Sequence, residues 1–185
     1  MNYSECIIKA KDRIGKFCKA CLECNGRACK NQMPGPGSKG IGDTAVRNYD
    51  KWKEIRVQMD TIAENKPVDT SLELFGKTFC YPVFAGPVGA VSLHYGDCLD
   101  DVAYNDILVS ACAENGIAAF TGDGVDSNVM VAATAAIKKA GGVGIPTVKP
   151  WNLETIREKM ELVHESGAFA VAMDIDAAGL PFLKN

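Results

Sequence analysis

The chain has 185 residues, of which 47% are hydrophobic and 23% charged, a balance typical of a soluble globular domain. Its 20 basic and 23 acidic side chains are mixed along the chain and give a net charge of −3, which indicates neither nucleic acid nor an anionic membrane as partner. The sequence has no apolar run of about 18 residues, and its N-terminus lacks the apolar core of a signal peptide. We therefore expect a cytoplasmic protein.

A dense cysteine cluster lies near the N-terminus, where residues 18–29 read CKACLECNGRAC. In a reducing compartment such a cluster indicates metal ligands or reactive thiols rather than disulfides. The spacing C-x2-C-x2-C-x4-C approaches the ferredoxin run but has an extra residue and no adjacent proline, and four thiolates also suit tetrahedral zinc. We predict an iron-sulfur cluster or zinc, with free thiols as the alternative, at Cys18, Cys21, Cys24 and Cys29. The isolated Cys112 is expected in the core.

Two helices and a loop are predicted before residue 63. Residues 3–17 have amphipathic spacing, and residues 34–42, PGPGSKGIG, deny both helix and strand because of their prolines and glycines. The second helix is predicted over residues 44–62, with Asp43 or Thr44 as its cap. Its apolar stripe is Val46, Tyr49, Trp52, Ile55, Met59 and Ile62.

From residue 79 onward, short apolar runs alternate with helical patterns. The predicted strands are residues 81–85, 117–121, 144–148 and 169–175. The predicted helices are residues 101–115, 126–140 and 152–166, and each stops at a glycine: Gly116, Gly141 and Gly167. In the last helix we expect Asn152 to be the cap and the buried stripe to be Leu153, Ile156, Met160 and Val163. Continuous apolar strands indicate a parallel sheet covered by helices, so the chain is of the α/β class.

Glycine-containing or polar loops follow the predicted strands. Both in doubly wound sheets and in barrels, the ligand-binding and catalytic residues lie in such loops. No dinucleotide fingerprint follows the first strand, which favours a TIM (β/α)8-type barrel over a doubly wound sheet. Only about the first four βα units are present. We predict an N-terminal helical and Cys-rich extension over residues 1–43 and the first half of the barrel over residues 44–185.

Three stretches resemble the FMN-dependent α-hydroxy-acid oxidase and dehydrogenase family. Residues 75–97, FGKTFCYPVFAGPVGAVSLHYGD, resemble its first barrel strand and the turn that follows. VRNYDKWKEI resembles the helix leading into the barrel, and AVAMDID, which ends at Asp176, is similar to the fourth strand. The resemblance covers roughly residues 44–179, which is the N-terminal half of such an enzyme.

The resemblance implies FMN as cofactor and a small 2-hydroxy acid as substrate. It implies that the backbone of Pro87, Val88 and Gly89 faces the flavin, because a turn with small side chains lets backbone approach the ring. Further implied cofactor-binding residues are Thr121, Gly122 and Lys149. Asp176 would be the aspartate that orients the catalytic histidine, although a helix cap is an equal alternative for it.

The chain departs from the family at three places. Residues 146–149 read PTVK where the family usually has a glutamine and a tyrosine, and Asp174 stands where threonine is common, so it is expected to bond a backbone group or another ligand. Neither histidine is placed to be the base: His94 reads as structural and His164 as solvent-facing. The family's catalytic histidine, carboxylate-binding arginine and phosphate loops belong to the second half of the barrel. We expect a fragment of a longer enzyme that is inactive alone and is a homo-oligomer at full length.

The predicted function is oxidation of a small 2-hydroxy acid to the 2-keto acid by hydride transfer to FMN. Two alternatives stay open at this point. One is another FMN barrel enzyme, such as a flavin-dependent isomerase. The other is a non-catalytic metal-binding or interaction module.

Overall fold

A computed structural model describes residues 2–14, 18–29 and 43–175. It divides the chain into two compact units. The first unit is Met1–Pro67 with Val91–Leu99, and the second is Val68–Ala90 with Asp100–Asn185. The predicted loop over residues 34–42 and the predicted site residue Asp176 lie outside the described residues. The domain division between residues 43 and 44 stays a prediction.

The first unit contains three helices among its described residues: α1 (Tyr3–Lys11), α2 (Thr44–Trp52) and α3 (Val91–Tyr95). Helix α1 begins with a capping box between Asn2 and Glu5, which satisfies two N–H groups of its first turn. Both α1 and α2 are shorter than predicted, and α3 was not predicted. The predicted continuation of α2 to residue 62 is wrong because its apolar side chains find nothing to pack against, as Ile62 is 98% exposed.

The second unit opens with a hairpin of β1 (Leu72–Leu74) and β2 (Lys77–Phe79), which the sequence patterns had not predicted. Its two-residue turn is Phe75-Gly76, and both residues have positive φ, 50° and 76°. That combination is the type I′ turn that suits the twist of a two-stranded hairpin. The hairpin places Phe79 in the core, edge-on to Phe84 with ring centroids 5.0 Å apart.

Parallel strands follow in the predicted order. They are β3 (Phe120–Thr121), β4 (Ile145–Val148) and β5 (Ala172–Met173), hydrogen-bonded in the order β3-β4-β5. The first predicted strand is reduced to a parallel bridge between Ala85 and Ala119. The α/β class is confirmed, and the strands are shorter than predicted. The described residues form an open parallel arrangement and no closed barrel.

Three helices separate these strands: α4 (Asp101–Glu114), α5 (Ser127–Lys139) and α6 (Leu153–Ser166). Each begins at a side chain that accepts a backbone N–H, namely Asp100, Asp126 and Asn152. Each is followed within two residues by a predicted glycine in the left-handed region: Gly116, Gly141 and Gly167. The predicted cap Asn152 and the glycine stops are therefore confirmed. Within the described part of the chain, no helix is both long and apolar enough to cross a membrane.

The core of the second unit lies between these helices and the strands. One buried cluster consists of Val109, Cys112, Ala119, Ala136 and Ile137, and a second of Met130, Val148 and Val163. The expectation that Cys112 is a core residue is confirmed.

The buried face of α6 differs from the predicted stripe. Leu153 and Met160 are exposed, whereas the buried residues are Lys159, Val163 and Ser166. The face is rotated because Lys159 forms an ion pair with Asp123, 36 positions earlier in the chain. A partner so distant in sequence cannot be identified from the apolar periodicity of the helix.

Candidate functional site

A cavity of about 350 Å³ lies where the parallel strands end in the second unit. Its lining residues come from the segment around Ala85 and from β3, β4 and β5, and they are Phe84, Gly86, Pro87, Phe120, Thr147, Ala172, Met173 and Asp174. Cavities of this size hold small molecules, and barrel enzymes place their sites at the carboxyl ends of the strands.

The wall of the cavity combines aromatic rings, bare backbone and a few polar groups. Phe84 and Phe120 meet edge to face, with ring centroids 6.5 Å apart. Gly86 and Pro87 add backbone with little side chain. A wall that is mostly apolar, with few polar groups, is typical of a small-molecule site.

Two buried threonine hydroxyls near the strand ends lack a hydrogen-bond partner within the described residues: Thr147 Oγ1 and Thr121 Oγ1. Thr147 is only 5% exposed and lines the cavity. A buried hydroxyl without a partner costs about 1 to 3 kcal/mol, and in native proteins such groups commonly meet a ligand or water. Thr147 is therefore a residue of the cavity lining whose hydroxyl has unused hydrogen-bonding capacity.

Lys149 and Asp174 form an ion pair at the edge of the cavity. Lys149 Nζ donates to Asp174 Oδ2 at 2.9 Å, and both side chains are partly buried. Lys149 therefore supplies the positive partner of Asp174, the residue that stands where threonine is common in the family. The pair adds no net charge to the cavity wall.

The turn after Ala85 packs backbone against backbone on the loop after β3. A methyl group on Gly122 would clash with the carbonyl oxygen of Val88, and one on Gly89 would lie 3.1 Å from the carbonyl oxygen of Asp123. Glycine is thus required at residue 122 for this approach. The structure brings together Pro87, Val88, Gly89, Thr121 and Gly122, whose role as cofactor-binding residues stays a prediction.

Sequence reasoning missed a cluster beside the cavity, formed by the buried Asp123 and Lys159 and the half-buried Trp151. The Asp123 carboxylate accepts from Trp151 Nε1 and from Lys159 Nζ, both at 2.7 Å. One signal was present in the sequence, since Lys159 falls three residues after Ile156 and four before Val163, on the helix face that carries the core.

The four clustered cysteines lie in the first unit, with Cys29 buried and Cys24 exposed. Burial raises the pKa of the Cys29 thiol, and the neighbouring Cys24 raises it further. Their segment is anchored on α2, where Gly26 packs against Ala45 and Arg27 pairs with Asp50 at 3.3 Å. Among the described residues, no group of three or more Cys, His, Asp or Glu is arranged to hold a metal. The predicted metal at Cys18, Cys21, Cys24 and Cys29 gains no support and stays a prediction.

Neither histidine is among the residues that line the cavity. His164 is exposed on α6, as expected. His94 belongs to α3 in the first unit, where its ring meets Tyr95 edge to face at 5.9 Å. The catalytic role predicted for Asp176 is untested because that residue lies outside the described residues.

The comparison with known families was made on the whole sequence. A family profile described as FMN-dependent dehydrogenase matches residues 36–182. No curated protein matches the chain. The match covers more than half of the 185 residues and includes all the strands whose ends form the cavity. The chain therefore belongs to the FMN-dependent dehydrogenase family, a TIM-barrel family of flavin oxidoreductases.

Proposed function

We propose that the protein containing this chain oxidises a small 2-hydroxy acid to the 2-keto acid with FMN as cofactor. The observation that carries the proposal is the cavity at the strand ends, whose lining includes Thr147, a residue with an unpartnered, buried hydroxyl. Family membership supplies the cofactor class, and the resemblance to hydroxy-acid oxidases supplies the substrate class.

The residues around the cavity suit a flat ring with polar edges. The backbone of Pro87, Val88 and Gly89 would approach the ring because its side chains are few and small. Thr121 and Gly122 would border it from the next strand end, and Lys149 would donate to a ring carbonyl or to the substrate carboxylate. When bound, FMN would supply the acceptor for the hydride that leaves the α-carbon of the acid.

The chain's own residues would bind and orient rather than abstract the proton. The Lys149 and Asp174 pair is neutral overall, so it does not repel an anionic acid as an unpaired aspartate would. Asp176 is proposed to orient the base. Since neither His94 nor His164 lines the cavity, the base is proposed to come from outside these residues, and the 185-residue chain alone is proposed to be inactive.

The test uses the full-length gene product, loaded with FMN under anaerobic conditions. Addition of lactate or glycolate is expected to bleach the visible flavin absorption, and propionate, which lacks the hydroxyl group, is the matched control. The isolated 185-residue chain is expected to show no bleaching with any of these acids.

The other outcomes of this test would change the assignment. Binding of FMN without bleaching by any 2-hydroxy acid would favour a flavin enzyme without net redox chemistry, such as an isomerase. A full-length product that binds no FMN would favour a metal-binding or interaction module. A cytoplasmic location and a homo-oligomeric full-length protein belong to the same proposal.

A further inference from the structure

Asp123 is a buried and fully hydrogen-bonded carboxylate that the proposed function leaves without a role. It follows β3, is only 5% exposed and accepts four hydrogen bonds. Oδ1 accepts from Lys159 Nζ at 2.7 Å and from the Gly124 N–H at 2.9 Å. Oδ2 accepts from Trp151 Nε1 at 2.7 Å and from the Lys149 N–H at 2.9 Å. A carboxylate offers about four lone-pair sites, so this one is saturated.

The positive partner of Asp123 is also buried. Lys159 is 6% exposed in the middle of α6, and its ammonium group lies 5.6 Å from the centre of the Trp151 ring. A buried ion pair rarely stabilises a protein more than apolar residues of the same size would, because both charges lose their hydration. We therefore expect the Asp123–Lys159 ion pair to matter for the positions of the neighbouring loops rather than for the stability of the fold.

Asp123 is connected to the cavity through the groups that it contacts. It fixes the backbone of Lys149, whose ammonium group pairs with the cavity residue Asp174. On the other side, the backbone of residues 122 and 123 packs against that of Val88 and Gly89. The Asp123 carboxylate thus joins the loops after β3 and β4, and the backbone of its own loop contacts the turn after Ala85.

We infer that Asp123, together with Lys159 and Trp151, is the positioning residue of the ligand site. It sets the backbone at Lys149, and through Gly122 the backbone at Val88, in the arrangement that the bound ring requires. This inference rests on the proposed function, because it names the group that orders the proposed FMN-binding loops.

The test compares single and double substitutions in the full-length protein. Asp123→Asn and Lys159→Met each leave one charged or polar partner buried, so each is expected to lower stability and FMN affinity together. The double variant Asp123→Asn/Lys159→Met has no buried charge and keeps one acceptor oxygen at residue 123, so it is expected to recover part of the urea midpoint lost in the single variants. Its FMN affinity is expected to stay about 10-fold to 100-fold below wild type, the effect that supporting residues have at metal sites.

Two further measurements separate positioning from folding. The visible circular dichroism of bound FMN reports the asymmetry of its surroundings and is expected to change in the double variant. Lys139→Met, which removes an exposed pair with Asp106, is the matched control and is expected to change neither signal nor affinity.

The inference is overturned if the double variant binds FMN as tightly as wild type with the same circular dichroism, or if affinity simply follows stability across the variants. Failure of the proposed function looks different, because the wild-type protein would then bind no FMN or be bleached by no 2-hydroxy acid.

Discussion

Helix α2 of the first unit and helix α5 of the second unit both carry apolar residues at helical spacing, but they bury them to different extents. Helix α2 buries none of its nine residues, although Val46, Tyr49 and Trp52 recur at helical spacing. Helix α5 buries six of its thirteen residues, including Met130 and Ile137. The difference teaches that a short helix can form without burial, whereas its apolar stripe adds tertiary stability only where a second surface covers it.

The largest difference between the units is expected from truncating an isoleucine in each. Ile137→Ala opens a cavity in the core, where the side chain is fully buried, and is expected to cost about 2 to 5 kcal/mol of unfolding free energy. Ile55→Ala in the first unit removes an exposed side chain and is expected to change it by less than about 0.5 kcal/mol. Urea unfolding of both variants measures this, and equal losses would contradict the comparison.

Backbone contact between loops is the next feature of the second unit to test. Gly122→Ala places a methyl group against the Val88 carbonyl and is expected to cost about 1 to 3 kcal/mol, as overpacking does. The control is Gly124→Ala, whose methyl group would lie at ordinary contact distances, 3.8 Å from Val129 Cγ2 and 4.0 Å from the Asp126 nitrogen. Thermal unfolding compares them, and a harmless Gly122→Ala would show that the two loops can separate at no cost.

The unpartnered hydroxyl of Thr147 predicts opposite effects on stability and on binding. Thr147→Val keeps the shape and removes the buried hydroxyl, so the ligand-free protein is expected to be equally stable or more stable. FMN affinity of the full-length protein is expected to fall by about 10-fold, the equivalent of one hydrogen bond. Calorimetry and FMN fluorescence titration measure the two quantities. Unchanged affinity would exclude Thr147 from the ligand site.

Burial in the second unit also predicts a pH dependence. Burial raises the pKa of Cys112 above its ordinary 9.0, so the folded state holds this proton more tightly than the unfolded state. The resulting stability is complete below the unfolded pKa and is lost as pH rises through the folded pKa. The urea midpoint is expected to fall above about pH 9 in wild type and to fall less in Cys112→Ala. Parallel pH curves for the two proteins would contradict this.

The smallest effect is expected from the surface ion pair of the first unit. Arg27 and Asp50 are both largely exposed, so Arg27→Gln is expected to cost at most about 1 kcal/mol, and less at high salt. Urea unfolding at low and high salt measures it. A loss as large as that of Lys159→Met would mean that the pair is shielded from solvent and that the units differ less than described.

Much of the second unit could be predicted because its signals are local. The Asn152 cap and the glycines after α4, α5 and α6 act within one helical turn, and all were found from the sequence. The Phe75-Gly76 turn was read only as part of a family motif, although its glycine suits a tight hairpin. For the candidate site, the loops after the strands were expected, whereas Asp123 and Lys159 were not, because their importance depends on a pairing across 36 residues.

The sequence by itself determined the α/β class and the order of the parallel strands and of the helices α4, α5 and α6 between them, and it predicted the loops after those strands as the place of the ligand groups. These follow from periodicity, capping and turn chemistry, all of which act between residues close in the chain. Only the tertiary structure decided how far each helix extends, which face of α6 is buried and which carboxylate orders the loops. Those outcomes depend on which surfaces meet in space, since burial and the pairing of buried charges are properties of the assembled fold rather than of any one segment.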